Sequence, residues 1–326
     1  MNKLAVDYTY IAARLNAMEA ELPDWSWYER LARADFSSLL QILSEFYRSF
    51  EEVDSIYSFG QALETEKAQY LELLSKLISD TTADRFLRSE YDFDNLVFFW
   101  KSDFLGAGSA EEGYNKCGLI EGDVLADAIE NWSGVYLPDY LKDIFDYFET
   151  VAGRKDIDTA QILLERRKWE FLLEAAPSDY AVHYTRMRID AINIKNFIRL
   201  KRTGLFGAGK ERWIPGGQID KLTLRALVSE SEDQLYSYLS FSPYSRLTDN
   251  GLDSGTPLWK IEPALSAEIF NQVSQRRHSF FDITPVIYHL VNMNRNYTAL
   301  RSIITGRING LPEEIIFDLM EGFAPS

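Results

Sequence analysis

The chain has 326 residues, 46% of them apolar and 14% aromatic, and a formal charge of −16 from 34 basic and 50 acidic side chains. That length accommodates two or three domains, each with a buried core. The negative balance opposes a phosphate backbone and argues against a general nucleic-acid role. A single cysteine, Cys117, permits no internal disulfide and suits a reducing compartment.

Helical spacing opens the chain with Ile11, Leu15, Met18 and Leu22, stopped by Pro23. Further stripes follow: Leu39, Leu43, Phe46 and Tyr47; Leu71, Leu74, Leu77 and Ile78; Leu141, Ile144, Phe145 and Phe148; then Leu164, Phe171 and Leu172. A long run spans Ser178 to Thr203, and a last long helix is expected from a Thr284 cap and Pro285 to a stop at Gly306. Strand alternation is nearly absent, so the expected class is all-α. Met1 to Leu22 interrupts its apolar residues with Asn2, Lys3, Asp7, Arg14 and Glu19, so no export signal is expected. No apolar run approaches the roughly 18 residues of a membrane helix, and the sequons at Asn131 and Asn296 are then chance matches.

One segment recurs three times. Asp92-Phe93-Asp94-Asn95-Leu96 leads through Trp100 and Lys101 to Leu105-Gly106 and later Ile120-Glu121-Gly122. Asp190-Ala191-Ile192-Asn193-Ile194 leads through Arg199 to Thr203-Gly204 and later Ile214-Pro215-Gly216-Gly217. A looser third copy runs from Asn292 through Leu300-Arg301 and Thr305-Gly306 to Asn309-Gly310-Leu311-Pro312. Gly106, Gly204 and Gly306 lie 98 and 102 residues apart, a spacing that suits a small helical domain better than a solenoid unit. Each glycine is expected just past a helix, where a positive φ releases the chain. Leu96 with Trp100, Ile194 with Ile198, and Leu300 with Ile303 are expected in the core. Turn-rich stretches at Asn131 to Pro138 and Ser229 to Asp233 divide the chain into helical repeats at 1–130, 131–230 and 231–326, and the longest loop is expected from Ser242 to Pro257.

Five residues before the glycines stand Lys101, Arg199 and Arg301. A threefold arrangement would set them around one axis as a partner-docking face; alternatively each cation complements its own helix C-terminus. From Asp190 to Arg225 eight basic residues face three acids, a local +5 that admits the same two explanations.

No active site emerges. Gly204 to Lys210 satisfies the Gly-x4-Gly-Lys part of a phosphate loop, yet Glu211 stands where a magnesium-binding hydroxyl belongs and a basic helix, not a strand, precedes it. Neither nucleotide binding nor any cofactor is expected. His183, His278 and His289 lack metal-ligand spacing, Cys117 reads as an incidental loop thiol, and Glu165-Arg166-Arg167-Lys168 reads as a solvated helix face.

The stretch from Asp190 to Lys201, with Ile214-Pro215-Gly216-Gly217, resembles the middle repeat of the C subunit of bacterial and archaeal V/A-type rotary ATPases, whose eukaryotic relative is the d subunit. Asn296 to Ile316 resembles that family's C-terminal segment, Tyr10 to Glu19 its opening and Tyr91 to Gly106 its first repeat. The resemblance implies a pseudo-threefold funnel of three similar helical domains. It would be seated on the membrane rotor ring and receive the central shaft, as a non-catalytic central-stalk coupling subunit for ATP-driven or ATP-forming ion transport. The implied location is cytoplasmic, peripheral on the membrane through the complex and without a span of its own. One departure is Met293-Asn294-Arg295-Asn296, where the family tends to carry glutamates, and this bears on any third-repeat electrostatic contact. The competing expectation is a cytosolic helical adaptor or enzyme that kept the fold without the rotary role.

Overall fold

A computed structural model describes residues 7–321 except 52, 54, 56–57, 79, 106–113, 153–156 and 205–212. The described residues form fifteen α-helices and one 3-10 turn, with no strand, which confirms the all-α class. Three helices share one length of 25 residues: α5 (Thr81–Leu105), α9 (Asp179–Thr203) and α14 (Thr284–Ile308). At 1.5 Å per residue each is about 37 Å long. Each precedes a short helix in the chain: α6 (Gly122–Glu130), α10 (Lys221–Val228) and α15 (Glu313–Glu321). The repetition seen in the residues is therefore a repetition of elements.

The chain divides into two compact units. One comprises Met1–Leu77, Ile194–Leu205 and Ile219–Ser326; the other comprises Ile78–Asn193 and Phe206–Gln218. These units follow contact in space and not succession along the chain, because the first has a core built from both chain ends. Tyr28 and Leu31 of α2 (Trp25–Arg33), Leu39 and Leu43 of α3 (Phe36–Ser44), and Phe59 and Leu63 of α4 (Phe59–Ile78) pack with Leu300 and Ile303 of α14 and Ile316 and Met320 of α15. Helix α1 (Tyr8–Glu19) also packs on α14, and its Ile11 and Leu15 are buried. It ends short of Leu22, which is exposed. Aspartates start these early helices: Asp7 accepts from the Thr9 and Tyr10 amides, Asp24 from Trp27 and Asp35 from Ser38. Such caps each contribute about 1 kcal/mol.

In the second unit, Phe93, Leu96 and Trp100 of α5 meet Leu125 and Ile129 of α6, Leu141 and Ile144 of α7 (Asp139–Ala152), and Leu164 and Phe171 of α8 (Ile157–Ala175). Tyr140 stacks on Phe171 with ring centroids 4.6 Å apart. The face from Glu165 to Lys168 is not solvated as expected. Lys168 is buried and reaches Asp94 at 2.9 Å and Glu165 at 3.1 Å, while Arg166 Nε donates to the Trp213 carbonyl. The basic run serves packing because α5 supplies the carboxylate for Lys168.

The C-terminal helix corrects two expectations. Thr284 does not cap α14 but is its first residue, with Ile283 at the N-cap and the Asp282 carboxylate accepting from the Thr284 amide and hydroxyl. Gly306 does not end the helix, which runs on to Ile308; Gly310 takes the positive φ of +66°. Leu311 N bonds Gly306 O and Gly310 N bonds Arg307 O, the Schellman pattern of a helix stop. Gly306 is instead a crossing point, since a Cβ there would lie 2.8 Å from Ile316 Cγ1 of α15. Gly204, with φ +67° after α9, behaves as expected, whereas Gly106 lies outside the described residues. The expected loop from Ser242 to Pro257 contains a short helix, α12 (Ser245–Asp249).

Candidate functional site

The most repetitive chemistry in the molecule is a pair of loop clamps on α5 and α9. Asn95 Nδ2 donates to the Asn115 carbonyl at 2.8 Å, and Asn115 N donates back to Asn95 Oδ1 at 2.8 Å. In the next repeat, Asn193 Nδ2 donates to the Ile214 carbonyl at 2.9 Å and Ile214 N donates to Asn193 Oδ1 at 3.0 Å. One turn earlier, Asp92 Oδ1 accepts from the Leu119 and Ile120 amides, and Asp190 Oδ2 accepts from the Gln218 amide. A Cβ added at Gly118 or Gly217 would lie 2.4 or 2.0 Å from the Asp92 or Asp190 carboxylate, so only glycine lets the backbone approach. The Asp-x-x-Asn motif thus holds residues 115–120 against α5 and residues 214–218 against α9. Helix α14 reaches α15 through residues 309–312 alone and has no such loop to hold.

Tyr140 adds a hydroxyl to Asp92 Oδ2 at 2.7 Å. Burial nevertheless dominates and pushes the Asp92 pKa up to about 6 against the Tyr140, Ile120 and Leu119 hydrogen bonds. Cys117 is buried in the same clamped loop, whose carbonyl at 117 accepts from Arg88 Nε at 2.9 Å. Nearby, Arg188 pairs with Glu90 at 2.7 Å and lies over the Trp169 and Tyr184 rings. These groups are structural, since their polar atoms face one another and the backbone.

The three candidate docking cations have three different surroundings. Lys101 is half-buried near the end of α5, and no described carboxylate pairs with it. Arg199 is exposed on α9 and likewise forms no ion pair among the described residues. Arg301 is exposed on α14 and pairs with Glu64 of α4. At least three of the eight basic residues between Asp190 and Arg225 are engaged within the fold: Lys195 with Glu262, Lys201 with the Val228 carbonyl, and Arg202 with Glu232. Arg202 lies outside the register of the three candidate cations. Its guanidinium forks onto both Glu232 oxygens and donates to the Thr256 and Ser254 carbonyls, tying the end of α9 to α11 (Glu232–Ser240) and to the turn after α12.

Residues 205–212, which carry the rest of the phosphate-loop match and Glu211, lie outside the described residues; the described part shows that match beginning at the end of a helix. Among the described residues no group of three His, Cys, Asp or Glu is placed to hold a metal. His278 is exposed beside Arg277, and His289 is buried, where desolvation pushes its pKa down. Asn296 is also buried, which withholds that sequon from a glycan. Among the described residues no helix is long and apolar enough to cross a membrane.

The sequence profile of the family described as "ATP synthase (C/AC39) subunit" matches residues 11–319. The C subunit of the A-type ATP synthase of Haloferax volcanii is 24% identical, over 94% of this chain and 95% of its own. The proteins of the same name from Thermococcus gammatolerans and Methanococcoides burtonii are 24% and 23% identical, over 96% and 95% of this chain and 89% and 93% of theirs. A profile match across nearly the whole length, on a chain whose repeated polar motif clamps loops instead of forming a reaction centre, places the chain in the ATP synthase (C/AC39) subunit family, as a structural part of the ATPase complex and not a catalytic one.

Proposed function

We propose that this chain is the central-stalk coupling subunit of an A-type or V-type ATPase, joining the rotating shaft to the membrane rotor ring. The observation that carries the reading is the end-to-end similarity to C subunits of A-type ATP synthases, with no large part of either chain left over. A coupling part must pass torque without deforming, and three features of this chain suit that role. They are the three 25-residue helices, the buried ion pairs and the long loops fixed to helix sides. The three-part repetition supports helical repeats at 1–130, 131–230 and 231–326 about a pseudo-threefold axis, seated peripherally on the cytoplasmic side of the membrane through the complex.

Within this reading Arg199 is a docking contact, because it is exposed and its charge is not neutralised within the described fold, whereas Arg301 serves its own unit through Glu64. Lys101, half-buried in the last turns of α5, complements its helix end. Affinity capture of the tagged chain from solubilised membranes tests the function. Retention of rotor-ring and shaft subunits is the expected result, and a chain that retains neither while the rest of the ATPase assembles refutes it.

A further inference from the structure

A cavity of about 290 Å³ opens between α1, α4 and α14 within the unit that holds both chain ends. Ligand pockets usually span about 300–1,000 Å³, so this one suits a single side chain and is too small for a nucleotide. Three carboxylates line it, Glu19, Glu21 and Glu66, and no lysine or arginine is among the described lining residues. Two of the carboxylates are held in place: Glu19 Oε1 accepts from Tyr288 and Asn292, and Glu66 Oε1 accepts from the Ser49 amide. His289, the one imidazole among the described lining residues, is kept toward neutrality by burial.

Two further observations point to a ligand that donates hydrogen bonds. Asn296 lines the cavity and is 3% exposed, and its Oδ1 has no hydrogen-bond partner among the described residues. A buried acceptor without a protein donor is costly, and a donor entering the cavity would satisfy it. The walls also carry Tyr47 and Tyr70, whose hydroxyl pKa values are raised first by burial and then by the charges of Glu66 and Glu19 respectively. Aromatic faces beside carboxylates form the chemistry that accepts an organic cation.

We infer that this cavity receives an arginine or lysine side chain from a protein partner, its cationic head meeting Glu19 and Glu66 and its aliphatic stem lying against Met18, Leu73 and Met293. The inference does not depend on the coupling role, because it rests on the cavity's shape, charge, buried acceptor and aromatic walls. A partner side chain brings one positive charge, whereas free arginine also brings a carboxylate that the three glutamates repel.

Methyl-labelled methionine NMR on the full chain tests it, since Met18 and Met293 line the cavity while Met187 and Met320 are buried elsewhere. Titration with N-acetyl-arginine methylamide should shift the Met18 and Met293 methyl signals saturably and leave Met187 and Met320 in place. Glu19→Gln and Glu66→Gln should each weaken binding about fivefold, and free arginine should bind more weakly than the blocked residue. An unchanged Met320 signal shows that each variant keeps its core. Should either variant lose that signal, Glu21→Gln, at an exposed position, takes its place with the same expectation. No saturable shift, equal shifts at all four methyls, or tighter binding of free arginine than of the blocked residue would overturn the proposal.

Discussion

The Tyr140 hydroxyl donates to Asp92 Oδ2 while the opposite oxygen of the same carboxylate accepts two loop amides, so three donors surround a group with no exposed surface. Even so, burial outweighs them and holds the Asp92 pKa near 6, above its ordinary 3.8. Between about pH 4 and pH 6 the folded chain therefore keeps a proton that the unfolded chain has released, and this group's contribution makes stability fall as pH rises through that window. The full effect is on the order of 3 kcal/mol at about 1.4 kcal/mol per pKa unit. Asp92→Asn should remove this component and be relatively more stable than the parent at pH 8 than at pH 4. Urea unfolding of both proteins across that range measures the difference, and parallel pH profiles would rule the mechanism out.

Gly306 and Gly60 should respond in opposite directions to alanine. A methyl at Gly306 meets Ile316 Cγ1 at 2.8 Å, and that side chain is fully buried, so Gly306→Ala should cost about 1–3 kcal/mol by overpacking. At Gly60, near the start of α4, nothing lies within 4 Å, and Gly60→Ala should stabilise by about 0.5–1 kcal/mol through helix propensity. Thermal melts of the two variants decide it; a stabilised Gly306→Ala protein would show that α15 yields.

Arg202 anchors α9 by fork geometry as well as by charge. Arg202→Lys keeps the charge but cannot reproduce the paired contacts to Glu232 together with the Thr256 and Ser254 carbonyls. Both Arg202→Lys and Arg202→Ala are expected to destabilise, by about 1 and about 2–3 kcal/mol respectively. Chemical denaturation supplies the numbers, and a lysine variant as stable as the parent would contradict the geometric account.

Arg199→Ala should leave the melting temperature unchanged, while weakening attachment to the membrane sector and flattening its salt dependence, as expected for an exposed charge contact. Arg301→Ala should do the reverse: a small stability loss, below about 1 kcal/mol for an exposed pair with Glu64, and no change in attachment. Binding assays at low and high salt separate the two, and identical attachment by the Arg199 variant at both would eliminate its docking role.

The helices were legible because their apolar spacing is local: Ile11 with Leu15, Leu39 with Leu43, and Leu96 with Trp100 all are buried as their periodicity required. The repeat was legible for the same reason, as the Asp and Asn of α5 and α9 share one register. Their purpose was hidden, since Asp92 and Asn95 act on amides 20 to 28 residues away, whose return no local rule encodes. Gly306 was misplaced because a glycine at a helix end and a glycine under a crossing helix look alike in sequence; only Ile316 distinguishes them. Lys168 looked solvated for want of Asp94, its partner 74 residues earlier. Among the docking candidates, charge spacing treats Arg199 and Arg301 alike, while the carboxylate that occupies Arg301 comes from a helix 237 residues distant.

The shared core of α2, α3, α4, α14 and α15 imposes an order on biosynthesis. Leu31, Leu43 and Phe59 leave the ribosome early but cannot complete their burial until Leu300, Ile303, Ile316 and Met320 have been made. The unit containing Ile78–Asn193 and Phe206–Gln218 has all its residues after roughly two-thirds of translation and can close first. During the remaining third, the nascent chain carries an open apolar surface at its beginning, the kind of exposure that recruits chaperones and penalises premature termination. A chain stopped short of α14 would thus keep one sound unit and expose the other's unfinished core to proteolysis.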